Sequence, residues 1–328
     1  KLVINNLTGL RVFSPLDANL FSVSTNILAQ AIDRPAFDKE LAAKAEAAGA
    51  NLLAGTKVDG VEAIAGGYRI AAVGKNYKDM KISTRLLIGA DGANSMVAKC
   101  LGLNHDNPKV VMYAADAELP CSDTSFIDIF LGQDLAPGWF GWIIPLTDKI
   151  CRVGSGFAFV KPNRPPQYFF KKLIDKYPEH FKGLKIIRQT GGAVPIGLMP
   201  KIYAPHAMIV GDAASQVKPI SGGGIYLGLR GAQVCGQIAV EALQKCDLAE
   251  HNLARYQKIW EREMGQEIIC GIAHRENYLD FNDEDIDRII RFLSKSRWQN
   301  LIKQYGDIDY PSLLAKRLFG LSPWKNGF

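Results

Sequence analysis

The chain has 328 residues, 48% hydrophobic and 22% charged, which is ample apolar material for a large core and a composition unlike that of disordered chains. Thirty-nine basic against 33 acidic side chains leave a net charge of +6, compatible with an anionic cofactor or an anionic membrane surface but short of a nucleic-acid footprint. Six scattered cysteines form no CxxC pair or Cys/His metal cluster, no apolar run approaches the roughly 20 residues of a membrane-spanning helix, and no signal peptide is visible, so a reduced, cytoplasmic protein of two interleaved domains is expected.

Residues 1–34 alternate apolar and polar side chains (Leu10, Val12, then Phe21, Val23) and predict short strands. A helix follows over 35–49, with Phe37, Leu41, Ala45 and Ala48 on one face and Gly49 as its stop. Strands are predicted over 52–64, 68–74 and 79–83, the first two joined by the hairpin dipeptide Gly66-Gly67. The run RLLIGA, residues 85–90, has the continuous apolarity of a strand covered on both faces. It leads into Asp91-Gly92 and a short helix near Ser95, a residue suited to cap it. Residues 108–204 read as an antiparallel sheet with one helix over 166–177. A buried strand at 207–211 then precedes Asp212, a glycine-rich loop and a helix from Gly223 to Gln244, and the remainder is mostly helical.

Chemistry concentrates in IVGDAASQVKPISGGGIYLGLRGA, residues 209–232. Gly222, Gly223 and Gly224 allow backbone amides to approach a ligand closely, and a helix N-terminus favours negative charge there. Asp212, at the strand end, suits a sugar-like polyol. The bland alternative is a glycine-rich helix start beside a solvated aspartate. A second strand, Asp-Gly turn and helix, LLIGADGANSMVAK at residues 86–99, makes the pair more specific than either half. Arg34 precedes a helix ending at Gly49-Ala50 and offers a phosphate partner, or is simply a surface arginine. His105, His180, His206, His251 and His274 show no triad or metal spacing.

At these blocks the chain resembles the flavoprotein hydroxylase superfamily with the p-hydroxybenzoate hydroxylase fold, and within it the geranylgeranyl reductase family. Arg34, Phe37, Asp38 and Leu41 match that family's Arg-x-x-Phe-Asp-x-x-Leu segment; Asp91-Gly92 and Gly211 to Gly224 match its other two. PGWFGWIIP, residues 137–145, resembles its aromatic signature Pro-x-x-Tyr-x-Trp-x-Phe-Pro, keeping Pro137, Trp142 and Pro145 but carrying Phe140 for Tyr and Ile144 for Phe. Losing that hydroxyl removes any proton relay at position 140. The alternative for these rings is a plain sheet core.

The resemblance implies an α/β FAD-binding three-layer domain (1–107 and 205–247), an antiparallel-sheet substrate domain (108–204) and a helical C-terminal region (248–328). It implies FAD held by Arg34, Val58, Asp212, Gly223, Gly224 and Ile225, and an isoprenoid chain bordered by Trp139, Phe140, Trp142, His274 and Trp298. Hydride is then carried by flavin N5, no side chain acts as nucleophile, and electrons come from an external donor, reduced ferredoxin or NAD(P)H. The family opens with a strand, a G-x-G-x-x-G loop and a helix; the match here starts after that unit, so about 60 residues are expected upstream. The implied reaction is reduction of carbon–carbon double bonds in geranylgeranyl chains, most simply those of a digeranylgeranyl glycerophospholipid. The alternatives are an FAD monooxygenase or halogenase acting on an aromatic, and a non-catalytic lipid-binding remnant. The tail, residues 310–328, sets Lys316, Arg317 and Lys325 beside Leu313, Leu314, Leu318, Phe319 and Leu321, a pattern suited either to a peripheral contact on the inner membrane face or to packing on its own domain.

Overall fold

The computed structural model describes residues 2–24, 26–74, 77–103, 106–158, 164–307 and 309–319. Strands β1 (Val3–Leu7), β2 (Gly9–Phe13), β3 (Asn19–Val23) and β4 (Ala29–Ile32) lead to helix α1 (Arg34–Ala47). Strands β5 (Thr56–Ile64), β6 (Gly67–Gly74), β7 (Tyr77–Thr84) and β8 (Leu87–Gly89) precede α2 (Met96–Cys100). Then come β9 (Lys109–Glu118), β10 (Phe126–Phe130), β11 (Gly141–Pro145), β12 (Ile150–Ala158), α3 (Pro166–Lys176) and β13 (Lys185–Pro195). Short strands β14 (Tyr203–Ala204) and β15 (Ala207–Ile209) are followed by α4 (Ile225–Gln244), α5 (Glu250–Trp260), α6 (Gln266–Leu279), α7 (Asp283–Leu293), α8 (Ser296–Tyr305) and α9 (Pro311–Phe319). The chain folds as two compact units, one of residues 1–41, 109–193 and 273–328, the other of residues 42–108 and 194–272.

The first unit is built on a seven-stranded sheet in the order β13-β9-β12-β11-β10-β2-β3. Strands β9 to β12 are antiparallel, as expected. Residues 9–23, expected among the cofactor-binding strands, extend this sheet instead, because β2 pairs in parallel with β10 from Gly9↔Phe126 to Phe13↔Phe130. Alternation of side chains along these strands gives the sheet two apolar faces. On one, α3 sets Phe170 and Leu173 against Tyr113, Ile143 and Val153; a side chain at Gly141 would collide with Leu173. On the other, α7 packs Ile286 and Ile290 against Val12 and Leu20. Asn282 and Asp285 close a capping box at the start of α7, and the buried Asp287 accepts hydrogen bonds from Ser14 Oγ and the Ala18 amide. The expected helix at 35–49 is present as α1, but its apolar stripe is not a core face: no residue of α1 is buried. Its sequence, RPAFDKELAAKAEA, is rich in strong helix formers, and Asp33 accepts the Ala36 amide at 3.0 Å, so local preference and a cap sustain it.

The second unit contains the sheet β14-β15-β8 and the antiparallel meander β5-β6-β7. The meander's first turn falls at Gly66-Gly67, with φ of 76° and 158°. Strand β15 is buried throughout. In β8 only Leu87 and Gly89 are buried while Ile88 is 42% exposed, which corrects the expectation of cover on both faces. Among the described residues the strand forms the edge of its three-stranded sheet. Helix α4 buries Leu227, Val234, Cys235 and Ile238, and α5, packed on α4, buries Leu253, Tyr256 and Trp260. Among the described residues no helix is long and apolar enough to cross a membrane. His105 and residues 320–328, including Leu321 and Lys325 of the tail, lie outside the described residues.

Candidate cofactor and substrate site

In the second unit, β8 and β15 run parallel with Gly89 opposite Ile209, and the Val210 amide donates to the Gly89 carbonyl at 2.9 Å. Their carboxyl ends therefore lie side by side and bring the Asp91-Gly92 turn next to Gly211-Asp212, the position where open α/β sheets bind ligands. Asp91 is already engaged: Oδ1 accepts from Ser95 Oγ at 2.5 Å, and Oδ2 accepts the amides of Met96 at 2.7 Å and Val97 at 3.0 Å. Ser95 Oγ accepts the Ala98 amide at 2.8 Å, so both side chains cap α2.

Asp212 sits half-buried in a single 3-10 turn, Gly211–Ala214. Its Oδ1 lies 3.0 Å from the point where a β-carbon at Gly224 would stand, so a side chain at 224 would crowd the carboxylate. Gly222 has φ of 70°, a region costly for other residues. Lys218 Nζ lies 3.5 Å from the β-carbon position of Gly223. Gly224 caps α4 without a side-chain bond, and the helix N-terminus favours an anion there. A polyol acceptor, an ammonium group and the N-terminus of a 20-residue helix thus surround one glycine turn. This donor and acceptor set fits the ribityl and pyrophosphate portions of FAD.

Sequence reasoning missed what holds that turn in place. Gln216 is fully buried; its Oε1 accepts the Gly211 amide at 2.8 Å and its Nε2 donates to Tyr256 Oη at 2.8 Å. Tyr256 Oη in turn donates to the Ile209 carbonyl at 3.1 Å, and burial raises its pKa strongly. Ser215 adopts φ of 52° and its Oγ accepts from Asn107 Nδ2 at 2.8 Å. A side chain at Gly231 would collide with Gln216, so that glycine lets α4 close over the network. The usable signal was a Gln between two glycine-bearing segments, too weak without a partner in view. Of the expected cofactor residues, Asp212, Gly223, Gly224 and Ile225 come together here. Val58 lies on β5 with an exposed side chain. Arg34 belongs to the other unit, where it pairs with Asp38 at 3.3 Å on the surface.

The aromatic stretch lies in the first unit. Trp139 is 1% exposed and stacks on Phe140, ring centres 4.9 Å apart at 17°. Phe140 meets Trp142 edge-on at 6.0 Å. Glycines on β12 make room: side chains at Gly154 and Gly156 would collide with the indoles of Trp142 and Trp139. Helix α6 supplies the second layer. Arg275 lies over the Trp139 ring and Tyr278 Oη donates to the Trp139 carbonyl at 2.9 Å. The Trp139 Nε1 is buried with no hydrogen-bond partner among the described residues. His274, next to Arg275, is half-buried, and burial lowers its pKa. Trp298 stands apart on α8, half-buried and packed on Phe292 at 4.7 Å. Arg275 and Tyr278 carried no sequence motif and escaped the sequence reading.

The fold and the glycine turn define an FAD-dependent oxidoreductase, and residues 24–245 match the model of the FAD binding domain family. The chain is 30% identical to digeranylgeranylglycerophospholipid reductase 1 of Methanothermobacter thermautotrophicus, over 98% of this chain and 81% of that protein. A solved geranylgeranyl bacteriochlorophyll reductase-like protein from Thermoplasma acidophilum matches with a TM-score of 0.83 at 22% identity, covering 94% of this chain and 82% of that one. Halogenase PltM, solved with phloroglucinol and FAD, matches with a TM-score of 0.64 at 13% identity, covering 94% and 71%. The chain therefore belongs to the geranylgeranyl reductase family of FAD-binding flavoproteins.

Proposed function

We propose that this protein reduces carbon–carbon double bonds in geranylgeranyl chains, with a digeranylgeranyl glycerophospholipid as substrate and membrane lipid synthesis as its setting. The observation that carries the reading is the aromatic series in which Trp139 stacks on Phe140 and Phe140 meets Trp142 edge-on, a wall without a charged or hydroxyl side chain from Gly138 to Ile144. Such a wall suits an isoprenoid. The name of the relative in Methanothermobacter thermautotrophicus supports the same substrate class.

FAD, bound by the Asp212 carboxylate and the amides from Gly223 to Ile225, supplies the two-electron reduction. Arg34 and Val58 complete that set by family analogy. Electrons enter from an external donor, reduced ferredoxin or NAD(P)H. The side chains of this protein bind and orient the alkene and exclude water, which strengthens every polar interaction near an otherwise unreactive double bond. Tyr278 keeps its proton: its hydroxyl is committed to the Trp139 carbonyl, and burial raises its pKa. It therefore holds the wall rather than feeding protons to it. His274, next to Arg275, borders the far part of the chain in this reading.

The test is anaerobic. Chemically reduced enzyme is mixed with a digeranylgeranyl lipid and the products are weighed by mass spectrometry. A gain of two hydrogens per reduced bond is expected. An unchanged lipid, together with oxygen-dependent hydroxylation or halogenation of an aromatic compound, overturns the proposal in favour of the monooxygenase or halogenase reading.

A further inference from the structure

We infer that the corner where α7 ends and α8 begins is a docking surface for an anionic lipid bilayer. The sequence of this corner is one-signed. From Arg288 to Lys303 it carries Arg288, Arg291, Lys295, Arg297 and Lys303 and no carboxylate. Two of the five are neutralised from the preceding turns of α7: Arg288 by Asp285 at 3.1 Å and Arg291 by Asp287 at 2.5 Å. Lys295, Arg297 and Lys303 are exposed and have no carboxylate at ion-pair distance among the described residues.

The same corner displays apolar rings. Phe292 is 43% exposed, and its ring packs on Trp298 with centres 4.7 Å apart. Lys295 Nζ lies 5.8 Å from the Phe292 ring centre, and Arg297 Cζ lies 5.4 Å from that of Trp298. On α9, which packs against α8, Leu313 is 48% exposed. The corner is held firmly: Ser294 Oγ donates to the Asn19 carbonyl at 2.6 Å, and Arg291 donates to the Leu16 carbonyl at 3.2 Å.

Aromatic side chains flanked by uncompensated cations match the boundary between headgroups and acyl chains. The rings sit at the level of the glycerol backbone, and the cations meet lipid phosphates. Each Lys or Arg near an anionic leaflet contributes about 1 kcal/mol. A polyacidic chain or duplex DNA meets the same cations but offers no apolar surface to the exposed Phe292, since a duplex keeps its bases stacked within the helix. The inference stands on the charge and exposure of this surface, and its test reads binding rather than turnover, so it is decided separately from the substrate reading.

Flotation of the purified protein with phosphatidylcholine vesicles, with and without phosphatidylglycerol, provides the test. Binding is expected only with phosphatidylglycerol present. It should fall roughly tenfold or more in the triple variant Lys295→Gln, Arg297→Gln, Lys303→Gln, and also in Phe292→Ser, with thermal unfolding of each variant confirming an intact fold. Failure of the parent to bind anionic vesicles overturns the inference. So does equal binding of parent and triple variant, loss in the triple variant without loss in Phe292→Ser, or tighter binding of duplex DNA or polyglutamate than of vesicles at the same salt concentration.

Discussion

The guanidinium of Arg275 lies 4.7 Å from the centre of the Trp139 ring, and its Nη1 donates to the Gly138 carbonyl at 3.1 Å. Burial lowers its pKa to about 10, and no carboxylate faces it among the described residues. A cation held this way fixes the indole from above, while Tyr278 holds the Trp139 carbonyl. Arg275→Met keeps length and packing but removes the fork of donors. Prenyl reduction by this variant should slow several-fold, while flavin reduction by dithionite stays unchanged; stopped-flow traces of the two half-reactions separate the effects. Equal slowing of both would remove Arg275 from the wall.

Asp212 should matter to cofactor retention rather than to the fold. Asp212→Ala removes the acceptor beside Gly224. Hydrogen bonds to a carboxylate of this kind are worth about 1–3 kcal/mol, roughly a 5- to 150-fold rise in the Kd for FAD. Fluorescence titration of the apoprotein measures it. A Kd equal to that of the parent would mean that Asp212 does not touch the cofactor.

The Gln216–Tyr256 pair should influence the same affinity from a distance. Tyr256→Phe deletes the hydroxyl that joins Gln216 to the Ile209 carbonyl. Unfolding in urea should show a loss of about 1–3 kcal/mol. FAD affinity should fall with it, because Gln216 holds the Gly211 amide at the start of the binding turn. Stability loss without any change in FAD affinity would confine the network to a structural role.

Acid should weaken the protein partly through His274. Burial holds this imidazole below its ordinary value of 6.5. The unfolded chain then binds more protons than the folded one between the folded pKa and 6.5, so stability is lost as pH falls through that window and levels off beneath it. His180 is shifted in the same direction by burial and acts alongside it. His274→Gln should therefore lose less stability than the parent between neutral pH and pH about 5, as read from urea midpoints. An identical pH dependence in both proteins would show that His274 is not protected in solution.

Helix α2 offers a test of the first Asp-Gly turn. Asp91 accepts two backbone amides and the Ser95 hydroxyl. Asp91→Ala should cost about 1–2 kcal/mol as a lost cap, measured by thermal unfolding. A far larger fall in FAD affinity than in stability would give Asp91 a direct role at the ligand as well.

Local patterns carried much of this architecture. The glycine pair at 66–67, the cap at Ser95, the loop from Gly211 to Gly224 and the aromatic strand are each written within a few neighbouring residues, and the structure shows them where the sequence placed them. What escaped depends on residues far apart. The parallel pairing of β2 with β10 joins positions 117 residues apart and shifts the first strands into the other unit. Gln216 finds Tyr256 across 40 residues, and Arg275 reaches Gly138 across 137. Ile88 and the stripe on α1 show the opposite failure: apolar runs promise burial, but only tertiary neighbours deliver it.

Gly154 and Gly156 leave room for the indoles of Trp142 and Trp139, so the relief of this surface is set by pairs of positions and not by single ones. A methyl group added at 156 meets the Trp139 indole and the flexible Met112 side chain, whereas one at 154 meets the Tyr113 carbonyl as well as the Trp142 indole, so a smaller side chain at 142 alone does not make room for it. Exchanging residues 156 and 139 together reshapes this surface, whereas any side chain at 154 also presses on the backbone of β9 and disturbs the sheet itself.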